Sequence, residues 1–240
     1  MYDEMPIFAH LHQGLSNRFA RGALMAVAHA PGEIYNPLWI YGPSGTGKTA
    51  LLEATAAALR DHPSRPLILR IQAEQLIHDM ICAITHHTTE DFHARILGFR
   101  VIIVDHVDCL CAQLHTQLQV GQLLAQAAAQ GTQVILISTC APDELENLDR
   151  LLQAHCTWLL RCCIQFPPRE ERLTITRRMA LERVLPVSDQ MVSRICDATR
   201  SPAQIQCIIH HLAARRKLLR LEDDDLSDAL EHLLEREVAV

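Results

Sequence analysis

Gly42-Pro43-Ser44-Gly45-Thr46-Gly47-Lys48-Thr49 fits the phosphate-cradling pattern G-x-x-x-x-G-K-[ST]. A triphosphate must be met by several backbone N–H groups at once, and glycines let the chain curl that closely around it. In this pattern Lys48 reaches the β- and γ-phosphates and the Thr49 hydroxyl ligates Mg²⁺, so Gly42, Pro43, Ser44, Gly45, Thr46, Gly47, Lys48 and Thr49 form the candidate nucleotide loop. The pattern carries meaning only between a strand and a helix. Pro37-Leu38-Trp39-Ile40-Tyr41 supplies an apolar strand before it, and Ala50 to Leu59, rich in Ala and Leu, supplies the helix after it.

A nucleotide site of this kind needs a second half: an apolar strand ending in an acid at the sheet's carboxyl edge, where a carboxylate can hold Mg²⁺. Phe99-Arg100-Val101-Ile102-Ile103-Val104-Asp105 provides it, with Asp105 as the second metal ligand. A strand followed by an acid is common by itself and becomes specific only when paired with the loop at Lys48. The position after Asp105 is occupied by His106.

Outward from these two segments, helical runs and short β-branched runs alternate, the pattern of an α/β domain with a mostly parallel sheet. Strands are expected at Leu38 to Tyr41, Leu67 to Ile71, Val101 to Val104, Val134 to Ser138 and around Trp158 to Ile164. Helices are expected at about Arg18 to Ala30, Thr49 to Arg60, Ala73 to Thr85 and Gln117 to Gln130. After Pro167-Pro168 the pattern becomes helical only, at about Arg169 to Arg183, Ser188 to Ala198, Pro202 to Leu219 and Asp225 to Arg236. The proline pair therefore divides an expected core, residues 1–167, from an expected helical lid, residues 168–240.

Composition narrows the function classes. A formal charge of −6 argues against a surface that grips duplex DNA by bulk electrostatics. The nine cysteines include no C-x-x-C pair, no charged-then-apolar leader opens the chain, and no apolar run is long enough to span a bilayer. These features predict a cytoplasmic protein with reduced thiols and no membrane association. Cys109 with Cys111, and His155, Cys156, Cys162 and Cys163, lack zinc-finger spacing and read as small residues of apolar segments. His86-His87 and His210-His211 read as members of helical stretches without a thiol or carboxylate at ligand spacing.

Gly14-Leu15-Ser16-Asn17-Arg18-Phe19-Ala20, Pro31-Gly32, Tyr35-Asn36-Pro37-Leu38-Trp39-Ile40-Tyr41-Gly42 and Gly47-Lys48-Thr49 with Leu51-Leu52 resemble the opening of the AAA+ ATPase domain of the bacterial replication initiator family, DnaA, and its shorter relatives. The resemblance continues through Glu74, His78-Asp79-Met80, Phe92, Asp105, Thr116-Gln117, Gly131, Gln133, Ser138, Pro142 and Trp158 to Asp228-Ala229-Leu230 and Leu233-Leu234. It implies a P-loop AAA+ core with a parallel five-stranded sheet flanked by helices, an all-helical C-terminal lid, ATP or ADP with Mg²⁺ as ligand, and a role in initiating or regulating chromosomal replication. It further implies that the chain stops where the family's duplex-reading domain would begin. The stretch from Ile77 to Phe92 has the length of the extra helix that touches single-stranded DNA in such proteins, but Cys82 stands where a basic residue is expected and only Arg95 and Arg100 lie nearby. Weak or no single-stranded DNA binding by the isolated chain follows, with an ordinary packing helix as the alternative.

The same resemblance places the polar "sensor 1" position at Thr139, with Ser138 before it, where a hydroxyl can bond to water or the γ-phosphate. Asp105 and Thr139 are thus the implied catalytic residues, and His106 stands in place of the second acid that polarises attacking water in hydrolysing relatives. The arginine finger falls at His155, three residues before Trp158, and an imidazole lacks the guanidinium's permanent charge and fork. Sensor 2 falls near Ala203 or Gln204, neither of them basic, with Arg200 the nearest stand-in. A finger alone is worth roughly three to five orders of magnitude in rate, so these departures point to weak or absent hydrolysis. Against that, His106 could itself position a water. Two readings remain open from the sequence: a nucleotide-binding adaptor that docks on an initiator or another replication protein, and an active ATPase of the helicase-loader or initiator type assembling on single-stranded DNA.

Overall fold

The computed structural model describes residues 5–9, 11–111, 114–155, 159–219, 222 and 225–237. In chain order these residues form α1 (Arg18–His29), β1 (Leu38–Tyr41), α2 (Lys48–Asp61), β2 (Ile68–Gln72), α3 (Ala73–Thr85), α4 (Thr89–Leu97), β3 (Val101–Asp105), α5 (Leu114–Ala129), β4 (Gln133–Ser138), α6 (Glu146–His155), β5 (Leu160–Cys163), α7 (Arg169–Glu182), α8 (Asp189–Ala198), α9 (Pro202–Leu219) and α10 (Asp225–Glu237). Every expected strand and helix is present with ends shifted by a few residues, and two short helices, α4 and α6, are additional. α3 ends at Thr85 as expected, and the rest of the stretch from Ile77 to Phe92, which has the length of the family's extra helix, turns at His87 (φ 56°) and enters α4 at Thr89. His86 and His87 therefore lie in a turn and not inside a helix.

Two compact units make up the chain. The first comprises residues 1–13, 17–44 and 48–164; the second comprises residues 14–16, 45–47 and 165–240.

In the first unit five parallel strands run in the order β2-β3-β4-β1-β5. Alternation along each strand sorts the side chains between two apolar layers. Trp39, Ile102, Val104, Val134 and Leu136 face one layer, where Leu76 and Met80 of α3, Phe92 and Ile96 of α4, Leu123 of α5 and Leu148 of α6 pack. Leu38, Ile40, Val101, Ile103, Ile135 and Ile137 face the other, against Leu24 and Val27 of α1 and Leu51, Leu52 and Leu59 of α2. The three central strands, β1, β3 and β4, read as nearly unbroken apolar runs because both faces are covered, whereas the edge strands β2 and β5 carry exposed Arg70 and Arg161. All their carboxyl ends emerge on one edge, which gathers the loops after β1, β3 and β4.

Several residues that carry the family resemblance bind β1 to β4 from below that edge. Asn36 donates from Nδ2 to the Thr132 carbonyl (2.8 Å) and accepts the Val134 amide at Oδ1 (2.9 Å). Gln133 accepts the Gly32 amide (2.9 Å) and donates to the Tyr35 carbonyl (3.1 Å). Gly32 itself adopts φ 87°, and a Cβ there would lie 2.1 Å from the Gly131 carbonyl oxygen, so this close approach requires glycine.

The second unit has its own core of Ile175, Met191, Ile195, Ile205, Ile208, Ile209, Leu212, Leu226 and Leu230 from α7 to α10. Its segment at residues 14–16 wraps the Glu171 carboxylate, which accepts from the Leu15 amide (2.7 Å) and the Ser16 hydroxyl (2.6 Å). The N-terminus of α8 is capped by Ser188, whose hydroxyl oxygen accepts the Met191 amide at 3.3 Å.

Candidate nucleotide-binding site

The glycine-rich loop leaves β1 through Gly42 at φ 148°, a conformation closed to other residues here because a Cβ would lie 2.1 Å from the Ile164 carbonyl oxygen. Gly47, at φ 97°, has nothing within 4 Å of its notional Cβ, so its surroundings are open and the backbone can be approached closely. Lys48 opens α2, so the glycine-rich loop leads directly into a helix N-terminus, the arrangement that favours phosphate. Its ammonium donates to the Gly42 carbonyl and to that of Pro43 (2.9 Å). Partial burial pulls the Lys48 pKa below its ordinary value, opposed by the negative charges of Asp108 and then Asp105. Thr46 is buried and Thr49 exposed.

Asp105 ends β3 with only 4% of its surface exposed. Its Oδ1 accepts the His106 amide (2.9 Å), and Arg70 of β2 stands 3.7 Å from Oδ2. A buried carboxylate and an exposed hydroxyl at Thr49 are hard oxygen donors of the type Mg²⁺ takes, so these residues fit that ion. His106 sits in the left-handed region at φ 54°. Its Nδ1 lies 2.6 Å from Gln72 Oε1, a hydrogen bond that ties the imidazole to the neighbouring strand β2.

Asp108 was not among the sequence candidates, yet it is the most heavily bonded acid on this edge. Its Oδ1 accepts the Thr139 amide (2.6 Å), the Thr139 hydroxyl (2.8 Å) and the Cys140 amide (2.8 Å). Its Oδ2 is buried and has no hydrogen-bond partner among the described residues. Burial pushes the Asp108 carboxyl up, but the bonds led by the Cys140 amide and the Thr139 hydroxyl outweigh it, so the net shift is downward. The sensor 1 candidate Thr139 is thus brought to this edge and joined to an acid from the loop after β3. Ser138, beside it, accepts from the Trp39 indole (2.9 Å) and donates to the Cys140 carbonyl (2.7 Å).

The cysteines near this loop are less core-like than their apolar setting implied. Cys111 is exposed, with its sulfur 3.7 Å from that of Cys140, and Cys163 is also exposed, whereas Cys162 is buried. Among the described residues no group of three or more His, Cys, Asp or Glu side chains is placed to hold a metal ion.

His155 closes α6, but its side chain, like Cys156 and Trp158, lies outside the described residues. In the second unit the sensor 2 region is a helix cap. Ser201 Oγ accepts the Gln204 amide (3.2 Å), and Gln204 Oε1 accepts the amides of Ser201 (3.1 Å) and Arg200 (2.8 Å). This reciprocal box, with Pro202 at the first helical position, starts α9. Gln204 is consumed by it, and the Ala203 amide donates to the Gly45 carbonyl at 3.2 Å. Arg200 makes no side-chain hydrogen bond or ion pair among the described residues and is exposed.

The two basic residues near the expected DNA-contacting helix are both engaged internally. Arg95 pairs with Asp79 at 3.4 Å and lies over the Phe92 ring, while Arg100 donates to the carbonyls of Gly131 (2.6 Å) and Pro31 (3.2 Å). No described helix is long and apolar enough to cross a membrane.

Comparison with known proteins agrees with this architecture. The family described as the bacterial DnaA ATPase domain matches residues 3–163. The chromosomal replication initiator protein DnaA of Cutibacterium acnes is 36% identical over 172 residues, 71% of this chain and 34% of that protein. DnaA of Herpetosiphon aurantiacus is 30% identical over 194 residues, 81% of this chain and 41% of that protein. The chain thus spans about two-fifths of the length of such relatives. Among solved structures, domain III of Thermotoga maritima DnaA superposes with a TM-score of 0.81 at 21% identity, covering 96% of this chain and 95% of that one. A replication initiator DnaA bound to AMPPCP and single-stranded DNA gives 0.80 at 22% identity, covering 96% of this chain and 68% of that one. With a matching nucleotide loop, sheet order and family match over residues 3–163, the chain belongs to the bacterial DnaA ATPase domain family.

Proposed function

We propose that this chain is a cytoplasmic nucleotide-binding module that acts in, or regulates, the initiation of chromosomal replication, with weak or no hydrolysis of its own. The observation that carries the reading is the loop from Gly42 to Thr49: three glycines at positive φ followed by Lys48 at a helix N-terminus. ATP or ADP is its ligand, the loop amides and Lys48 its phosphate contacts, and Thr49 and Asp105 the groups that would hold Mg²⁺. When bound, that ion neutralises phosphate charge. Asp105 accepts the His106 amide and faces the Arg70 guanidinium at 3.7 Å, contacts that orient its carboxylate at the sheet edge. Relatives solved with AMPPCP support the choice of ligand.

Weak turnover follows from the groups around the loop. The position after Asp105 carries an imidazole bonded to Gln72, and the sensor 2 region carries a capping Gln204. The output is then binding to an initiator or another replication protein, with nucleotide as a stabilising ligand. One solved DnaA is bound to single-stranded DNA, which favours a second reading as an active, DNA-assembling ATPase. Against it, Arg95 and Arg100 already have internal partners, leaving little local positive charge for phosphates.

Equilibrium titration with fluorescent ATP and ADP in Mg²⁺ tests the binding claim. The native chain is expected to bind both, and Lys48→Ala to lose at least about tenfold in affinity, the scale of a lost charge-assisted bond. Equal affinity in native and Lys48→Ala chains would remove the loop from the account.

A further inference from the structure

We propose that Asp108 silences Thr139 as a reader of the γ-phosphate, so that this site holds ATP and ADP with closely similar affinity. The inference rests on the nucleotide-binding reading above and specifies what that site distinguishes.

A threonine hydroxyl has a single proton to donate. In Thr139 that proton goes to Asp108 Oδ1 at 2.8 Å, and the same oxygen is held by the amides of Thr139 and Cys140 at 2.6 and 2.8 Å. Three donors on one carboxylate oxygen make a fixed claw, strengthened by the carboxylate charge. The other oxygen, Oδ2, is buried and has no hydrogen-bond partner among the described residues, so the donors fixed on Oδ1 hold the carboxylate in place. A γ-phosphate oxygen is an acceptor. To meet it, Thr139 would have to withdraw its proton from a carboxylate and leave a partly buried charge less satisfied. With the claw intact, Thr139 offers an incoming phosphate only lone pairs. The Asp108 charge is also the first electrostatic partner of Lys48, ahead of Asp105, so it acts at the phosphate end of the loop.

The test is the ratio of ATP to ADP affinity, measured on the full chain with Mg²⁺ for the native protein, Asp108→Ala, and Asp108→Ala combined with Thr139→Val. The native ratio is expected to lie within about threefold of unity. Releasing Thr139 in Asp108→Ala should raise ATP preference about tenfold, and adding Thr139→Val should remove the gain. A native chain that already prefers ATP about tenfold, with Thr139→Val alone abolishing the preference, would overturn the proposal. Those two proteins decide the matter even where Asp108→Ala does not fold. Failure of either nucleotide to bind at all would instead defeat the functional reading on which the inference depends.

Discussion

The loop after β1 and the loops after β3 and β4 leave the same sheet edge in opposite conditions. At the first, Gly47 stands in open surroundings and the Lys48 ammonium donates to carbonyls of its own loop. At the others, two polar groups are already bonded within the protein: His106, through Nδ1, to Gln72, and Thr139 to Asp108. The difference teaches that holding a nucleotide and reading or cleaving it are separable properties of one edge. Binding needs backbone amides and one cation, which a local octapeptide supplies. Cleavage needs several side chains from distant segments that are free at the same moment.

The strongest way to break the comparison is at Gly42, where a methyl group would meet the Ile164 carbonyl oxygen at 2.1 Å. Gly42→Ala is expected to cost at least about 2 kcal/mol and lower Tm by roughly 6 °C, read by thermal unfolding. Gly47→Ala sharpens it: the space there is open, so only about 1 kcal/mol of backbone strain is expected, while nucleotide titration should show a clear loss of affinity. Little destabilisation in Gly42→Ala, or full nucleotide affinity in Gly47→Ala, would contradict the assignment of a structural role to the first glycine and a ligand-facing role to the second.

A smaller effect belongs to Asp108. Its carboxyl is depressed below the ordinary value of 3.8 by the Thr139 and Cys140 donors acting against burial. A group depressed in the folded state contributes stability that is complete above its unfolded value and is lost as pH falls through the lower folded value. Denaturant titrations from pH 7 down to about 3 should therefore show stability falling on the acid side, and Asp108→Asn should flatten that limb at the cost of stability at neutral pH. An acid limb unchanged by the substitution would mean that the claw does not hold Asp108 as described.

Legibility in the sequence divides along the same line as the comparison. The fold was readable because buried parallel strands are contiguous apolar runs and the nucleotide loop is contiguous too; Leu38–Tyr41, α3 and α9 fall where the residues predict them. Asp108 was not readable, since its partners lie 31 and 32 residues along the chain and no spacing rule joins them. Two further signals are local. Ser201-Pro202-Ala203-Gln204 is a capping box with proline at the first helical position, and it engages Gln204, one of the two candidate sensor positions. Pro142-Asp143-Glu144, with Glu144 Oε1 accepting the Ala141 amide at 3.1 Å, announces the turn that leads into α6. At the break between α3 and α4, His87 takes a positive φ without a glycine to mark it, and the start of α4 is signalled only by Thr88 at the N-cap with Glu90 and Asp91 in the first turn.

Single-turnover hydrolysis of bound ATP, compared among the native chain, Lys48→Ala and His106→Asp, tests the separation of holding from cleaving most directly. The account predicts that the native chain, saturated with ATP, cleaves no faster than Lys48→Ala at a matched bound fraction, and that His106→Asp gains measurable turnover. Rapid cleavage by the native chain that Lys48→Ala abolishes would contradict it and establish an active ATPase.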